Sequence, residues 1–270
     1  MDSVRPLPLA RFDRASARGV RGVLTDIDDT LTREGAIEPA ALAALHALRE
    51  AAIPVIAITG RPMGWSQSFA RDWPLEAIVA ENGAVALFKD AQADEGVHVE
   101  YAQDGPTRRA NALRLRATAE RVLREVPGSH LAEDSAGRVT DIAVDHSEFH
   151  HLAPAQIAAV VALMQAAGMT ATVSSIHING WYGAHDKLSG ARWIVQRLFG
   201  RELDMETAQW VYIGDSTNDQ LMFSHFPASV GVANLMRFEA ELTVWPTYLT
   251  AGERGDGFAQ VARHLIAARR

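Results

Sequence analysis

The chain has 270 residues, 48% of them hydrophobic and 22% charged, with no cysteine and a formal net charge of −7; that is enough for one large packed domain or two modest ones. The missing cysteine excludes disulfides, thiolate metal sites and a cysteine nucleophile, and the acidic balance opposes nucleic acid and anionic membranes, so an anionic ligand must be met by local positive charge, a helix N-terminus or a metal. The opening 22 residues, with five scattered arginines, do not read as a secretory signal, and the most apolar region, 41–60, is broken by Arg49, Glu50 and Pro54, so neither a leader nor a membrane span is predicted and a cytoplasmic protein is expected.

Strands alternate with helices along the first part of the chain, which predicts a parallel sheet with helical crossovers. The run "GVLTDID" (22–28) is apolar and ends in acids. Residues 38–51 carry leucines at 42, 45 and 48 behind a Glu-Pro start, a helical spacing. "IPVIAITG" (53–60) is a second buried strand ending at Thr59 and Gly60. "LEAIVAENGA" (75–84) is a third, closing on a turn at Asn82 and Gly83.

The pattern changes between about residues 88 and 180. "VHVEYA" (97–102) alternates, 105–126 is a long arginine-bearing helix, and "VTDIAVDH" (139–146) is a strand. Residues 153–168 form a second helix stopped by Gly168, and "TATVSSIHINGWYG" (170–183) supplies one or two more strands. The first pattern then resumes: a helix from Lys187, the strand "QWVYIGDS", a short helix at 218–226, the strand "ASVGVAN" and a closing helix within 257–269. The reading is α/β with one domain interrupted by another: a core of 1–87 and 181–270, and an inserted α+β unit of 88–180.

Ligands of a parallel sheet bind beyond the carboxyl ends of its strands. The residues standing there are Asp26, Asp28 and Asp29, Thr59, and Asp215, Asn218 and Asp219. If the two acid-ended strands are neighbours, their carboxylates converge, and a hard divalent cation with oxygen ligands relieves that repulsion; magnesium is the natural choice. A carboxylate beside magnesium can attack a phosphoryl group while a second, two residues on and on the same side of an extended chain, trades protons with the leaving group and with water. Thr59 and Lys187 would add a hydroxyl and a cation for the phosphoryl oxygens.

These residues resemble the four signatures of the haloacid dehalogenase superfamily. "DIDDT" from Asp26 to Thr30 is similar to the first, Thr59 in "AITGR" to the second, Lys187 to the third and "GDSTND" from Gly214 to Asp219 to the fourth, in order and on both sides of the insertion. "TGR", then "ENGA", then an α+β insertion resembles the subgroup with a large α/β cap, which includes many sugar-phosphate phosphatases. The resemblance implies a Rossmann-like core with a cap that selects substrate. It implies Asp26 as nucleophile and magnesium ligand, and Asp28 as general acid/base with its carbonyl on the metal. It further implies Thr59, Gly60, Lys187 and Asn218 at the phosphoryl oxygens, and Asp215 and Asp219 at the metal, with Asn218 and Asp219 orienting waters or neighbours. Asp28 and the absent membrane spans point within the superfamily to a phosphatase or phosphomutase. The expected partner is a small phosphorylated metabolite, a sugar phosphate or an ester of phosphoglycerate or glycosyl-phosphoglycerate type; a binding protein without turnover is the remaining alternative.

Other features carry less. Arg61 either binds a substrate anion or pairs with a cap acid. Asn82 is a further candidate for substrate contact. His177, Asn179 and Trp181 alternate and so share one face of a strand, which suits either a sugar or interdomain packing. Asp29 reads as a loop-bonding residue. The histidines of "DHSEFHH" (145–151) match no zinc-ligand spacing and read as a polar loop before a helix. The arginines of 105–126 are interrupted by Glu120 and Glu125 without interleaved aromatics and read as a solvated face. Hinges are expected near residues 86 and 181.

Overall fold

The computed structural model describes residues 5–270. In chain order the strands are β1 (Leu7–Pro8), β2 (Gly22–Thr25), β3 (Thr32–Arg33), β4 (Ala36–Ile37), β5 (Val55–Ile58), β6 (Ala77–Ala80), β7 (Val85–Lys89), β8 (Val97–Tyr101), β9 (His130–Leu131), β10 (Asp141–Asp145), β11 (Thr170–Val173), β12 (His177–Trp181), β13 (Trp210–Gly214), β14 (Ala228–Gly231) and β15 (Tyr248–Leu249). The helices are α1 (Arg14–Gly19), α2 (Pro39–Glu50), α3 (Met63–Asp72), α4 (Gly105–Glu125), α5 (Pro154–Ala166), α6 (Lys187–Phe199), α7 (Gln220–His225) and α8 (Arg254–Arg269).

A nine-stranded sheet runs in the order β1-β15-β14-β13-β2-β5-β6-β7-β8. Its pairs are parallel from β1 to β6, and antiparallel where β7 and β8 are added. The central strands are buried on both faces and therefore read as unbroken apolar runs. Successive residues still divide between the faces: Val23 packs into the cluster formed with α1, α2, α3 and α8, and Leu24 into the cluster under α6 and α7. No helix among the described residues is long and apolar enough to cross a membrane.

The inserted unit is a four-stranded antiparallel sheet, β11-β12-β10-β9. Its strands contact α4 and α5, and a separate apolar cluster of Leu115, Val122, Val144, Val160, Met164 and Ile178 fills the space between. Gly180 lets α5 approach, since a Cβ there would lie 2.7 Å from Met164 Sδ. Ile178 and Gly180 thus face the helices, and His177, Asn179 and Trp181 face the core.

The expected boundary at residue 88 falls inside β7, and β8 pairs with β7 in the core sheet. The insertion therefore begins after Tyr101. The alternation of "VHVEYA" has its physical cause in an edge strand of the core sheet, covered on one face only. The expected hinge near residue 86 is likewise interior to a strand. The chain crosses between the sheets at 102–104 and 182–186, where Gln103 Nε2 donates to the Tyr182 carbonyl at 2.6 Å.

Candidate active site

β13 is hydrogen-bonded directly beside β2, with Ile213 opposite Thr25, so the two strands that end in acid are neighbours. Asp26 N extends the ladder to the Ile213 carbonyl at 2.8 Å, and Asp26 and Asp215 emerge side by side. Carboxylate oxygens of Asp26, Asp215 and Asp219 lie within 4.8 Å of one another, and all three residues are buried.

Lys187 is the first residue of α6, behind an Asp186 N-cap whose side chain accepts from Ser189 N. Its ammonium donates to Asp26 Oδ1 at 2.9 Å and Asp219 Oδ1 at 2.7 Å, with Asn218 Oδ1 at 3.4 Å. Burial works against the ammonium, but the charges of Asp219 and Asp26 raise its pKa above the ordinary lysine value. One cation does not neutralise three acids. Burial lifts the Asp26 carboxyl to about 7 against the pull of Lys187, with Asp219 and Asp28 adding to the rise. Burial and the charges of Asp26, Asp219 and Asp29 push Asp215 well above the usual carboxylate range.

The three acids are not equivalent. Asp219 is saturated: Oδ1 accepts from Lys187 and the Tyr212 hydroxyl, and Oδ2 from the backbone N–H groups of Asp215 and Ser216. Asp215 accepts from Asn234 through Oδ2 at 3.1 Å, while its Oδ1 is buried without a partner. An unpartnered carboxylate oxygen beside two more acids fits a hard divalent cation. The donor set open to such an ion is Asp26 and Asp215, with Asp219 bracing them from behind.

Thr59 follows β5, on the other side of β2. Its hydroxyl oxygen accepts from Arg61 N at 3.0 Å, which leaves its proton to donate. Gly60 has no side chain, and a Cβ there would lie 3.2 Å from Asn179 Oδ1. Arg61 is buried, and its guanidinium reaches both oxygens of Asp28 at 3.0 Å, Asp134 at 3.2 Å and Glu148 at 2.7 Å. Of the two roles expected for Arg61, pairing with cap acids is the one seen here. Asp28 is a partner that sequence reasoning did not supply.

His177 bonds Glu148 at 2.8 Å, Asn179 donates to Asp141 at 3.0 Å and to the Gly60 carbonyl at 3.3 Å, and Trp181 donates to the His185 carbonyl at 2.9 Å. All three are buried at the junction of cap and core. Asn82 is buried beside Gly60, in a turn whose residues Glu81, Asn82 and Gly83 all have positive φ. The Glu81 carboxylate holds this turn to the cap, accepting from the N–H groups of Met63, Val139 and Thr140.

A cavity of about 670 Å³ lies between cap and core, walled by Asp28, Asp215, Arg61, His146, Glu148 and Phe149 among others. None of Asn82, His177, Asn179 and Trp181 is among its lining residues. The "DHSEFHH" segment shapes it: Asp145 accepts from the N–H groups of Ser147, Glu148, Phe149 and His150, wrapping the loop that presents His146 and Glu148. No zinc cluster forms there among the described residues. Sequence reasoning also missed Asn234, which donates to Asp215 and the Asp29 carbonyl, and Arg254, which pairs with Asp29 at 2.5 Å. Asn234 was detectable by the rule applied to Asp215, since it too stands just past the carboxyl end of a core strand, β14.

A family model for haloacid dehalogenase-like hydrolases matches residues 23–105. A phosphoglycolate phosphatase of Methanothrix thermoacetophila is 26% identical over 258 residues, covering 92% of this chain and 98% of that protein. Among solved structures, the sucrose-phosphatase of Synechocystis sp., in complex with sucrose and phosphate, superposes with a TM-score of 0.63 at 15% identity, over 92% of this chain and 98% of that one. A sugar phosphatase of the superfamily's subclass IIB superposes with a TM-score of 0.59 at 16% identity, over 91% and 98%. The structural likenesses carry the fold, and the residues carry the rest. With a matching first signature and Asp26, Asp28, Thr59, Lys187 and Asp215 drawn to the carboxyl ends of adjacent strands, the chain is similar to the haloacid dehalogenase-like hydrolases in the residues of its site as well as in its fold.

Proposed function

We propose that the protein is a magnesium-dependent phosphatase that hydrolyses a small phosphorylated metabolite through an aspartyl-phosphate. The observation that carries this reading is the pairing of Asp26 with Asp215, the latter presenting a buried, unpartnered oxygen. A phosphatase-named relative over nearly the whole chain supports the reaction class. Sugar phosphatases of the same fold, and a cavity larger than a two-carbon acid needs, favour a sugar phosphate or a comparably sized ester.

Asp26 and Asp215, with the Asp28 main-chain carbonyl, are the groups that would hold magnesium. When bound, the ion would supply positive charge that offsets the acids and the phosphoryl oxygens. In the first half-reaction a carboxylate oxygen of Asp26 forms a bond to phosphorus as the bond to the ester oxygen breaks, and Asp28 gives the departing alkoxide its proton. Lys187 and the Thr59 hydroxyl donate to the phosphoryl oxygens. In the second, Asp28 takes a proton from water as that water displaces Asp26 and releases inorganic phosphate.

The test is phosphate release from a panel of phosphate esters, with magnesium and with chelator, for the native protein and Asp26→Asn. Magnesium-dependent release abolished by the substitution is expected. Isomerised sugar phosphate without free phosphate would mark a mutase, and binding without turnover a non-catalytic protein.

A further inference from the structure

Among the described residues, Arg61 is the one core side chain whose guanidinium bonds Asp28 and two cap acids at once. Its side chain is only 5% exposed. Nε contacts both Asp28 oxygens, Nη2 contacts Asp28 at 2.9 Å and Glu148 at 2.7 Å, and Nη1 contacts Asp134 at 3.2 Å. A planar guanidinium has its donors in a fixed fork, so partners on one edge fix the direction of the other.

The cap acids are themselves held by the cap. Asp134 is gripped by Arg138, whose side chain also takes Asp141 of β10 and the Gly60 carbonyl. Glu148 is held by His177 of β12 and stands on the loop wrapped around Asp145. Two carboxylates thus form a preset receptor in the cap, and Arg61 enters it from the core.

We propose that Arg61 is a positioning residue through which the seated cap orients Asp28 for proton transfer. The inference rests on the phosphatase reading above and adds that the cap does more than select substrate. With the cap seated, Asp134 and Glu148 fix the guanidinium, and the guanidinium fixes both oxygens of Asp28. With the cap displaced, the fork loses two of its three partners and Asp28 loses its orientation.

The probe is p-nitrophenyl phosphate, whose leaving group departs without a proton from Asp28, whereas hydrolysis of the aspartyl-phosphate needs Asp28 to activate water. Glu148→Gln and, independently, Asp134→Asn remove the cap side of the fork and leave every reacting group in place. Each variant is expected to show a nitrophenolate burst of one equivalent per site, with single-turnover nitrophenolate release within about threefold of native, while steady turnover falls about tenfold. Adding Glu148→Gln to Arg61→Lys is expected to cost no more than Arg61→Lys alone, since the glutamate acts through the arginine. Equal loss of burst and turnover, multiplying losses in the double variant, or native turnover in both cap variants would overturn the inference and leave the phosphatase reading standing. A native protein that releases nothing, with magnesium or without, overturns that reading and this inference with it.

Discussion

Gly190, in the first turn of α6, touches Gly83, in the turn after β6: a Cβ on Gly190 would lie 2.7 Å from the Gly83 Cα. Two glycines let a helix start and a tight turn meet backbone to backbone. Lys187 stands three residues before Gly190, so this contact sets how far its ammonium extends toward Asp26.

Gly83→Ala therefore tests the position of α6. The new methyl would meet the Asp186 carbonyl oxygen at 2.1 Å, at a φ of +107° that L side chains avoid. The obstacle is backbone and cannot swing aside, so a loss of about 3 kcal/mol in urea unfolding is expected, with slower ester hydrolysis as Lys187 shifts. Native stability in this variant would show that the contact is slack.

Lys187→Met removes the cation shared by Asp26 and Asp219. Leaving buried carboxylates without their partner is expected to cost about 3 kcal/mol in chelator. Urea titrations in chelator and in excess magnesium measure it, and the loss is expected to be smaller with the ion.

Asp215→Asn is expected to do the reverse. It removes a charge that burial and three neighbouring acids oppose, and an amide oxygen can still accept from Asn234. The metal-free melting temperature is expected to rise, by the equivalent of about 1 kcal/mol, while the stabilisation by added magnesium disappears. A magnesium shift that survives would remove Asp215 from the metal site.

The pH dependence of the metal-free protein follows from Asp26, raised from 3.8 to about 7 chiefly by burial. Between those values the folded state holds a proton that the unfolded chain has lost, so stability falls as pH rises through that window, by at most about 1.4 kcal/mol per pH unit from this group. Asp215, raised by burial and like charges, adds to the decline. Glu148 is lowered by His177 and Arg61 against its burial, so its contribution is present above pH 4.5 and is lost on acidification below that. Chemical unfolding in chelator from pH 5 to 8 is expected to show a decline that magnesium flattens.

The sheet core and the acids at its edge were legible because both are local. Apolar runs mark β2, β5 and β13, and acids directly following them need only parallel pairing to converge. What escaped depends on pairings across distance. β8 alternates as a cap strand would, and only its partner β7 assigns it to the core. Arg61 meets Asp134 and Glu148, 73 and 87 residues away, contacts made only when the cap sits down. His177, Asn179 and Trp181 do share a face, but one occupied by Glu148, the Gly60 carbonyl and the His185 carbonyl.

The hydrogen bond from Gln103 to the Tyr182 carbonyl has a consequence for ancestry and engineering. The chain leaves the large sheet and returns to it through one doorway, and the segment between carries its own apolar interior. Such a segment is a cassette: exchanging it by recombination at the doorway would alter what the enzyme accepts while the order and register of the catalytic sheet stay as they were. A chimera would need to bring an acidic receptor for Arg61, and donors for the Glu81 carboxylate and the Gly60 carbonyl, along with its new walls.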